Sequence, residues 1–178
     1  MRTLATLLVV ALAACGTSKP MTKAPDAPPL AVKVAPDFTL TDSDGNSITL
    51  SKELALGPVI LAFYPKAFTG GCTRELTAYK DQYAKALAKG ARVIAISVDD
   101  VETLKKFKES LGAPYTFLSD PGGTVAAQYG GVSEGYAKRA TFVVAQDGTI
   151  GHTDEGMNAL VPDPALEACP NKNTPKTL

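Results

Sequence analysis

Between residues 34 and 160 short apolar runs alternate with amphipathic stretches. Residues 58–64 (PVILAFY) and 92–98 (RVIAISV) are almost continuously apolar, as expected of strands covered on both faces. Over residues 72–89 the positions Leu76, Tyr79, Tyr83, Ala86 and Leu87 recur at helical spacing, and Gly90 offers a stop. A second helix is predicted over 101–111, capped by Asp99 or Asp100 and ended at Gly112. Residues 37–40 and 47–50 flank Asp44-Gly45-Asn46 and predict an N-terminal β-hairpin. Residues 140–145 and 149–153 flank Gln146-Asp147-Gly148 and predict another. Phe117-Leu118 reads as a short strand and 123–129 as a short helix. This order implies an α/β fold: a central mixed β-sheet flanked by helices.

The first residues follow a different rule. Met1-Arg2-Thr3 leads into an apolar run over 4–14, too short to cross a bilayer, which takes ~20 residues. A charged start, a short apolar run and small residues fit an export signal. The run ends in Leu12-Ala13-Ala14-Cys15-Gly16, which resembles the lipobox of bacterial lipoproteins. That resemblance implies cleavage before Cys15, lipidation of Cys15 and anchoring to a membrane of the cell envelope. A plain signal peptide with an incidental cysteine is the alternative. Gly16, rather than Asp, after the lipid site resembles the outer-membrane pattern (periplasmic face) of a Gram-negative cell. Residues 16–33, rich in Pro, Ala, Thr and Lys without amphipathic period, read as a tether. The expected organisation is a signal peptide (1–14), a lipidated cysteine and tether (15–33), a folded domain (34–160) and a C-terminal tail (161–178).

Composition narrows the chemistry. Across 178 residues, 18 Lys+Arg balance 18 Asp+Glu, and no basic run argues for nucleic acid as a partner. A single histidine, His152, weakens any multi-histidine metal site. Three cysteines are too few for a disulfide scaffold but enough for thiol chemistry.

The thiol chemistry concentrates between Phe63 and Leu76, where a buried strand ends, a glycine-bearing loop follows and Cys72 opens a helix. The first turn of a helix presents unpaired N–H groups and about half a positive charge, which favour a thiolate over a thiol. Pro65-x-x-x-Thr69-x-x-Cys72 resembles the active-site motif of peroxiredoxins, and FYPKAFTGGCTREL is most similar to their bacterioferritin comigratory protein (peroxiredoxin Q) branch. Pro36-Asp37-Phe38-Thr39-Leu40 and Arg139-x-Thr141-Phe142-Val143-Val144 extend the resemblance over about residues 34–155. It implies a thioredoxin-like fold, in agreement with the element order. It also implies a thiol-dependent peroxidase that reduces hydrogen peroxide and small organic hydroperoxides without cofactor or metal. The reductant would be an outside thiol, thioredoxin-like or of low molecular weight, and the protein a monomer or dimer.

By the same resemblance Cys72 is the peroxidatic nucleophile and passes through a sulfenic acid. Thr69 bridges thiolate and peroxide, although its hydroxyl also suits an N-cap or loop role. Pro65 shapes the loop and shields the sulfur from water. Arg139 holds the thiolate and stabilises charge on the departing oxygen. Glu75 either orients that arginine or simply suits a first helical turn.

The chain departs from the family pattern at two places. Gly70 stands where many members have Pro. Thr77 stands where the comigratory-protein branch often carries a resolving cysteine. The remaining candidate is Cys169 in Glu167-Ala168-Cys169-Pro170, which resembles the C-terminal resolving site of two-Cys members. A static disulfide, an unpaired tail thiol, and reduction of Cys72 by an outside thiol are the alternatives. Thioredoxin-type disulfide exchange lacks its second cysteine, because position 75 is Glu; a Cys-x-x-x-Cys copper chaperone fails at Leu76. An envelope lipoprotein acting as a thiol-exchange partner or non-catalytic scaffold on this fold is the rival function. His152 reads as a surface residue.

Overall fold

The computed structural model describes residues 33–172. The signal segment, Cys15, most of the tether and the last six residues of the tail lie outside the described residues.

The N-terminal hairpin forms as its turn chemistry predicts. Strands β1 (Thr39–Asp42) and β2 (Ser47–Thr49) pair antiparallel. The Asp42 carboxylate accepts the backbone N–H of Asp44 at 2.9 Å and of Asn46 at 2.7 Å, which closes the turn. The predicted strand end at Leu50 instead opens a short helix, α1 (Leu50–Leu54), which buries Leu50 and Leu54.

Three parallel strands form the centre: β3 (Val59–Phe63), β4 (Arg92–Ser97) and β5 (Thr116–Ser119). β8 (Ala140–Val144) and β9 (Ile150–Glu155) extend the sheet antiparallel beyond β3. The seven-stranded sheet runs β2-β1-β5-β4-β3-β8-β9. Strand periodicity divides the core in two. Ile60 and Ala62 face one apolar cluster with Leu76, Leu104 and Phe107, whereas Val59, Leu61 and Phe63 face another with Phe38, Leu50, Val125 and Phe142. Every side chain of β3 is buried, and Val59, Ile60, Leu61 and Phe63 are each worth ~1.5–3 kcal/mol.

The long helix predicted over 72–89 is two helices, α2 (Gly70–Asp81) and α3 (Tyr83–Ala88). Gln82 breaks them at φ −105° and ψ 8°, and its Nε2 donates to Asp163 at 3.0 Å. The next helix, α4 (Val101–Leu111), has the predicted bounds. Asp100 rather than Asp99 caps it, accepting the Thr103 N–H at 2.8 Å, and Gly112 ends it in the left-handed conformation. After α5 (Thr124–Gln128) a small hairpin unread in the sequence, β6 (Val132–Ser133) and β7 (Tyr136–Ala137), leads directly to Arg139.

The expected tail beyond residue 160 is partly folded. A 3₁₀ turn over Asn158–Leu160 leads to α6 (Asp163–Ala168), which buries Ala165 and Leu166; Cys169, which follows it, is buried as well. Asp163 ties this helix to α3 through Gln82 and Lys85.

Candidate active site

The loop between β3 and α2 carries the site. Thr69 is the N-cap of α2 at φ −88° and ψ 147°, and the first intrahelical bond runs from the Thr73 N–H to the Thr69 carbonyl at 2.8 Å. The backbone N–H groups of Gly70, Gly71 and Cys72 therefore have no carbonyl one turn back. Cys72, the third helical residue, sits in that positive end field.

Arg139 reaches the same place from just before β8, whose first residue, Ala140, pairs with Phe63 at the end of β3. Its Nη2 donates to Cys72 Sγ at 3.3 Å, and its Nη1 donates to Glu75 Oε2. The fork of one guanidinium thus spans sulfur and carboxylate. Glu75 lies on α2 one turn after Cys72 and is wholly buried; Arg139 is 15% exposed. A buried carboxylate this close needs its cation, since breaking such a pair costs ~3–5 kcal/mol. Glu75 is thus placed against the Arg139 guanidinium. Glu75 Oε1 accepts no bond among the described residues, so the carboxylate's hold on Arg139 is through one oxygen.

Gly71 makes room for this arrangement. A Cβ there would stand 3.3 Å from Arg139 Nη2, tighter than most real contacts. Gly70 has open space around its would-be Cβ.

Cys72 is 1% exposed, so the sulfur is nearly enclosed rather than open to solvent. The loop around it is what meets water: Thr69 and Lys66 are exposed, Pro65 is partly buried, and Phe68 is 57% exposed. Phe68 holds φ at +60°, a left-handed conformation costly for a bulky side chain, with its ring 4.9 Å from that of Phe107. Thr69 Oγ1 donates to the Lys66 carbonyl at 3.0 Å and makes no capping bond to the helix. Its proton is committed to the loop, and its lone pairs are left as acceptors. Lys66 Nζ stands 5.4 Å over the Tyr136 ring, joining this loop to the hairpin that precedes Arg139.

Two further residues belong to the site and had no signal of their own in the sequence. Tyr64 is buried at the end of β3; burial raises its phenol above the usual range, with Asp99 and Cys72 adding to the effect. Asp99, one of two adjacent acids read only as cap candidates, accepts the Ala67 N–H at 2.8 Å.

Cys169 is not brought to Cys72. Cys72 lies at the carboxyl end of β3, whereas Cys169 lies at the opposite end of the sheet. There its carbonyl accepts Lys89 Nζ at 2.6 Å, and Lys172 N–H donates to the Lys89 carbonyl at 2.8 Å, just ahead of β4. The six residues of β4 separate these ends by roughly 20 Å, against the ~7 Å a disulfide allows. Cys169 is 2% exposed, and burial raises its thiol to about 11. Both described cysteines are free thiols. His152 pairs with Asp154, its Nε2 2.8 Å from Oδ2, on β9.

A mixed sheet with α2 and α4 against one face, and a cysteine at the amino end of α2 under a guanidinium, define a thioredoxin-like fold of the peroxiredoxin type. The AhpC/TSA family model matches residues 32–153. A chloroplastic peroxiredoxin Q of Oryza sativa subsp. japonica is 40% identical over 119 residues, covering 65% of this chain and 54% of that protein. The chloroplastic peroxiredoxin Q of Suaeda salsa is 41% identical over 118 residues, with 65% and 55% covered. The chain thus spans about half the length of these curated relatives. Among solved structures, the peroxidoxin BcpB of Mycobacterium tuberculosis superposes with a TM-score of 0.72 at 35% identity, covering 77% of this chain and 94% of that one. The chain belongs to the AhpC/TSA family.

Proposed function

We propose that the protein is a thiol-dependent peroxidase for hydrogen peroxide and small organic hydroperoxides, held at the cell envelope through a lipid on Cys15. The observation that carries the proposal is the Arg139 Nη2 donor 3.3 Å from Cys72 Sγ at the start of α2. The Cys72 thiolate attacks one peroxide oxygen; an S–O bond forms and the O–O bond breaks. The other oxygen leaves as hydroxide or alkoxide and takes a proton to give water or an alcohol. Thr69 Oγ1, its own proton on the Lys66 carbonyl, accepts from the peroxide O–H and aims the substrate. Arg139 and the first-turn N–H groups stabilise the charge that develops.

The sulfenic acid on Cys72 is then reduced from outside. A first thiol displaces water to form a mixed disulfide, and a second thiol releases Cys72 with a disulfide as product. Three features support an outside reductant: Thr77 in place of a nearby cysteine, the burial of Cys169, and its place at the far end of the sheet.

Peroxide consumption with dithiothreitol as reductant tests the proposal. Wild type and Cys169→Ser turn over peroxide at similar rates, and Cys72→Ser does not. Turnover by Cys72→Ser would overturn the assignment of the nucleophile. A peroxide-induced crosslink on non-reducing gels, lost in Cys169→Ser, would overturn the outside reductant.

A further inference from the structure

Asp99 lies outside the motif that carries the chemistry, at the carboxyl end of β4, yet its carboxylate ends on the catalytic loop. Asp99 Oδ2 accepts the Ala67 N–H at 2.8 Å and the Ser97 hydroxyl at 2.8 Å. Ser97 and Ser119, register partners on β4 and β5, fix the aspartate: Ser119 Oγ donates to the Asp99 carbonyl at 2.7 Å, and both serines are buried. The carboxylate therefore belongs to the rigid sheet, not to the loop.

The Ala67 N–H and the Lys66 carbonyl are the two ends of one peptide group. In a trans peptide they point in opposite directions. One end is held by Asp99, and the other accepts the Thr69 hydroxyl at 3.0 Å. Fixing the first end fixes the second. A negative charge on the N–H side also polarises the peptide, making its carbonyl a stronger acceptor. The next residue, Phe68, needs such an anchor because its backbone is left-handed.

We propose that Asp99 is a positioning residue for peroxide reduction, acting on Thr69 through the Lys66–Ala67 peptide. This rests on the peroxidase function proposed above. Asp99 touches neither sulfur nor peroxide. It sets where the Thr69 lone pairs point, and so how a peroxide is presented to Cys72.

The test compares two reactions of Cys72 in the full chain: oxidation by hydrogen peroxide, which uses Thr69, and alkylation by iodoacetamide, which does not. Asp99→Ala lowers the peroxide rate constant roughly ten- to hundredfold, the usual worth of a charge-assisted hydrogen bond, and leaves alkylation within about twofold. Asp99→Asn keeps an acceptor oxygen but not the charge, and recovers part of the peroxide rate. In a Thr69→Val background Asp99→Ala has little further effect. Should Asp99→Ala not fold, Asp99→Ser, too short to reach Ala67, takes its place. Equal losses in both reactions, an Asp99→Asn rate no better than that of Asp99→Ala, or an undiminished effect without the Thr69 hydroxyl would each overturn the assignment. A wild-type protein whose Cys72 is alkylated but not oxidised would overturn the peroxidase function itself.

Discussion

The contact between Arg139 and Cys72 can be given a magnitude. At 3.3 Å, a unit positive charge and a thiolate attract by ~5 kcal/mol at an effective dielectric of ~20. That is a ceiling, because the Glu75 carboxylate on the other arm of the guanidinium opposes it. Whatever share of such an attraction goes into favouring a thiolate over a thiol has an upper limit. An ordinary thiol of pKa ~8.5 is ~3% ionised at pH 7, so ionisation alone raises the rate by at most ~30-fold, or ~2 kcal/mol. The remainder acts on the charge leaving with the departing oxygen, where losing one preorganised donor costs ~10²–10³ in rate. Arg139→Gln is the variant of choice: it removes the charge but keeps an amide N–H donor, so the buried Glu75 loses its cation without losing every donor type at that position. Stopped-flow oxidation by hydrogen peroxide is measured beside the thiolate fraction, read from ultraviolet absorbance across pH. The peroxide rate constant is expected to fall ~10²–10³-fold, with a deficit of at least ~3-fold left after division by thiolate fraction. Normalised rates that coincide with wild type would refute any role for Arg139 beyond ionisation.

Other outcomes follow from the same geometry. Gly70→Pro should raise Tm, with a gain of ~0.4–1 kcal/mol. The position is the first of α2, its would-be Cβ meets nothing, and Thr69 already has the extended backbone that precedes proline; a lower Tm would contradict the reading of that loop. Gly71→Ala should slow peroxide oxidation while sparing the fold, because the new methyl crowds Arg139 Nη2; a wild-type rate would show that the guanidinium can shift without penalty. The Cys169 thiol, raised by burial from 9.0 to about 11, makes the folded state hold a proton that the unfolded state releases first. Its contribution to stability is complete below pH 9 and is lost as pH rises from about 9 to about 11. Tyr79, raised to about 12 by burial, acts with the same sign, so the measurement is the difference between wild type and Cys169→Ala in denaturant midpoint across alkaline pH. Parallel curves for the two proteins would contradict the burial of that thiol.

What the sequence disclosed depends on how local each interaction is. The strand–loop–helix around Cys72 lies within a dozen residues, and its hydropathy and glycines fix it locally. Arg139 lies 67 positions from Cys72, so only the family resemblance connected them. Asp99 and Asp100 look alike in sequence; one caps α4 and the other clamps a loop 32 positions away, a choice made by the end of β4. The break at Gln82 was hidden because glutamine is a good helix former and the apolar spacing continues across it. At the break the Gln82 side chain makes a tertiary bond to Asp163, 81 positions away. α6 was hidden for the opposite reason: six residues with a proline near the start, inside a polar tail, carry little periodic signal. The burial of Cys169 follows from that helix and from Lys89, which binds the Glu167 and Cys169 carbonyls at 2.9 and 2.6 Å.

The most direct measurement is a single exposure of the reduced full chain to one equivalent of hydrogen peroxide, followed by dimedone and peptide mass mapping. One dimedone adduct on Cys72, absent in Cys72→Ser, is the expected result. An unmodified Cys72, or an adduct on Cys169 in its place, would contradict the claim that the sulfur under Arg139 is the one that takes the oxygen.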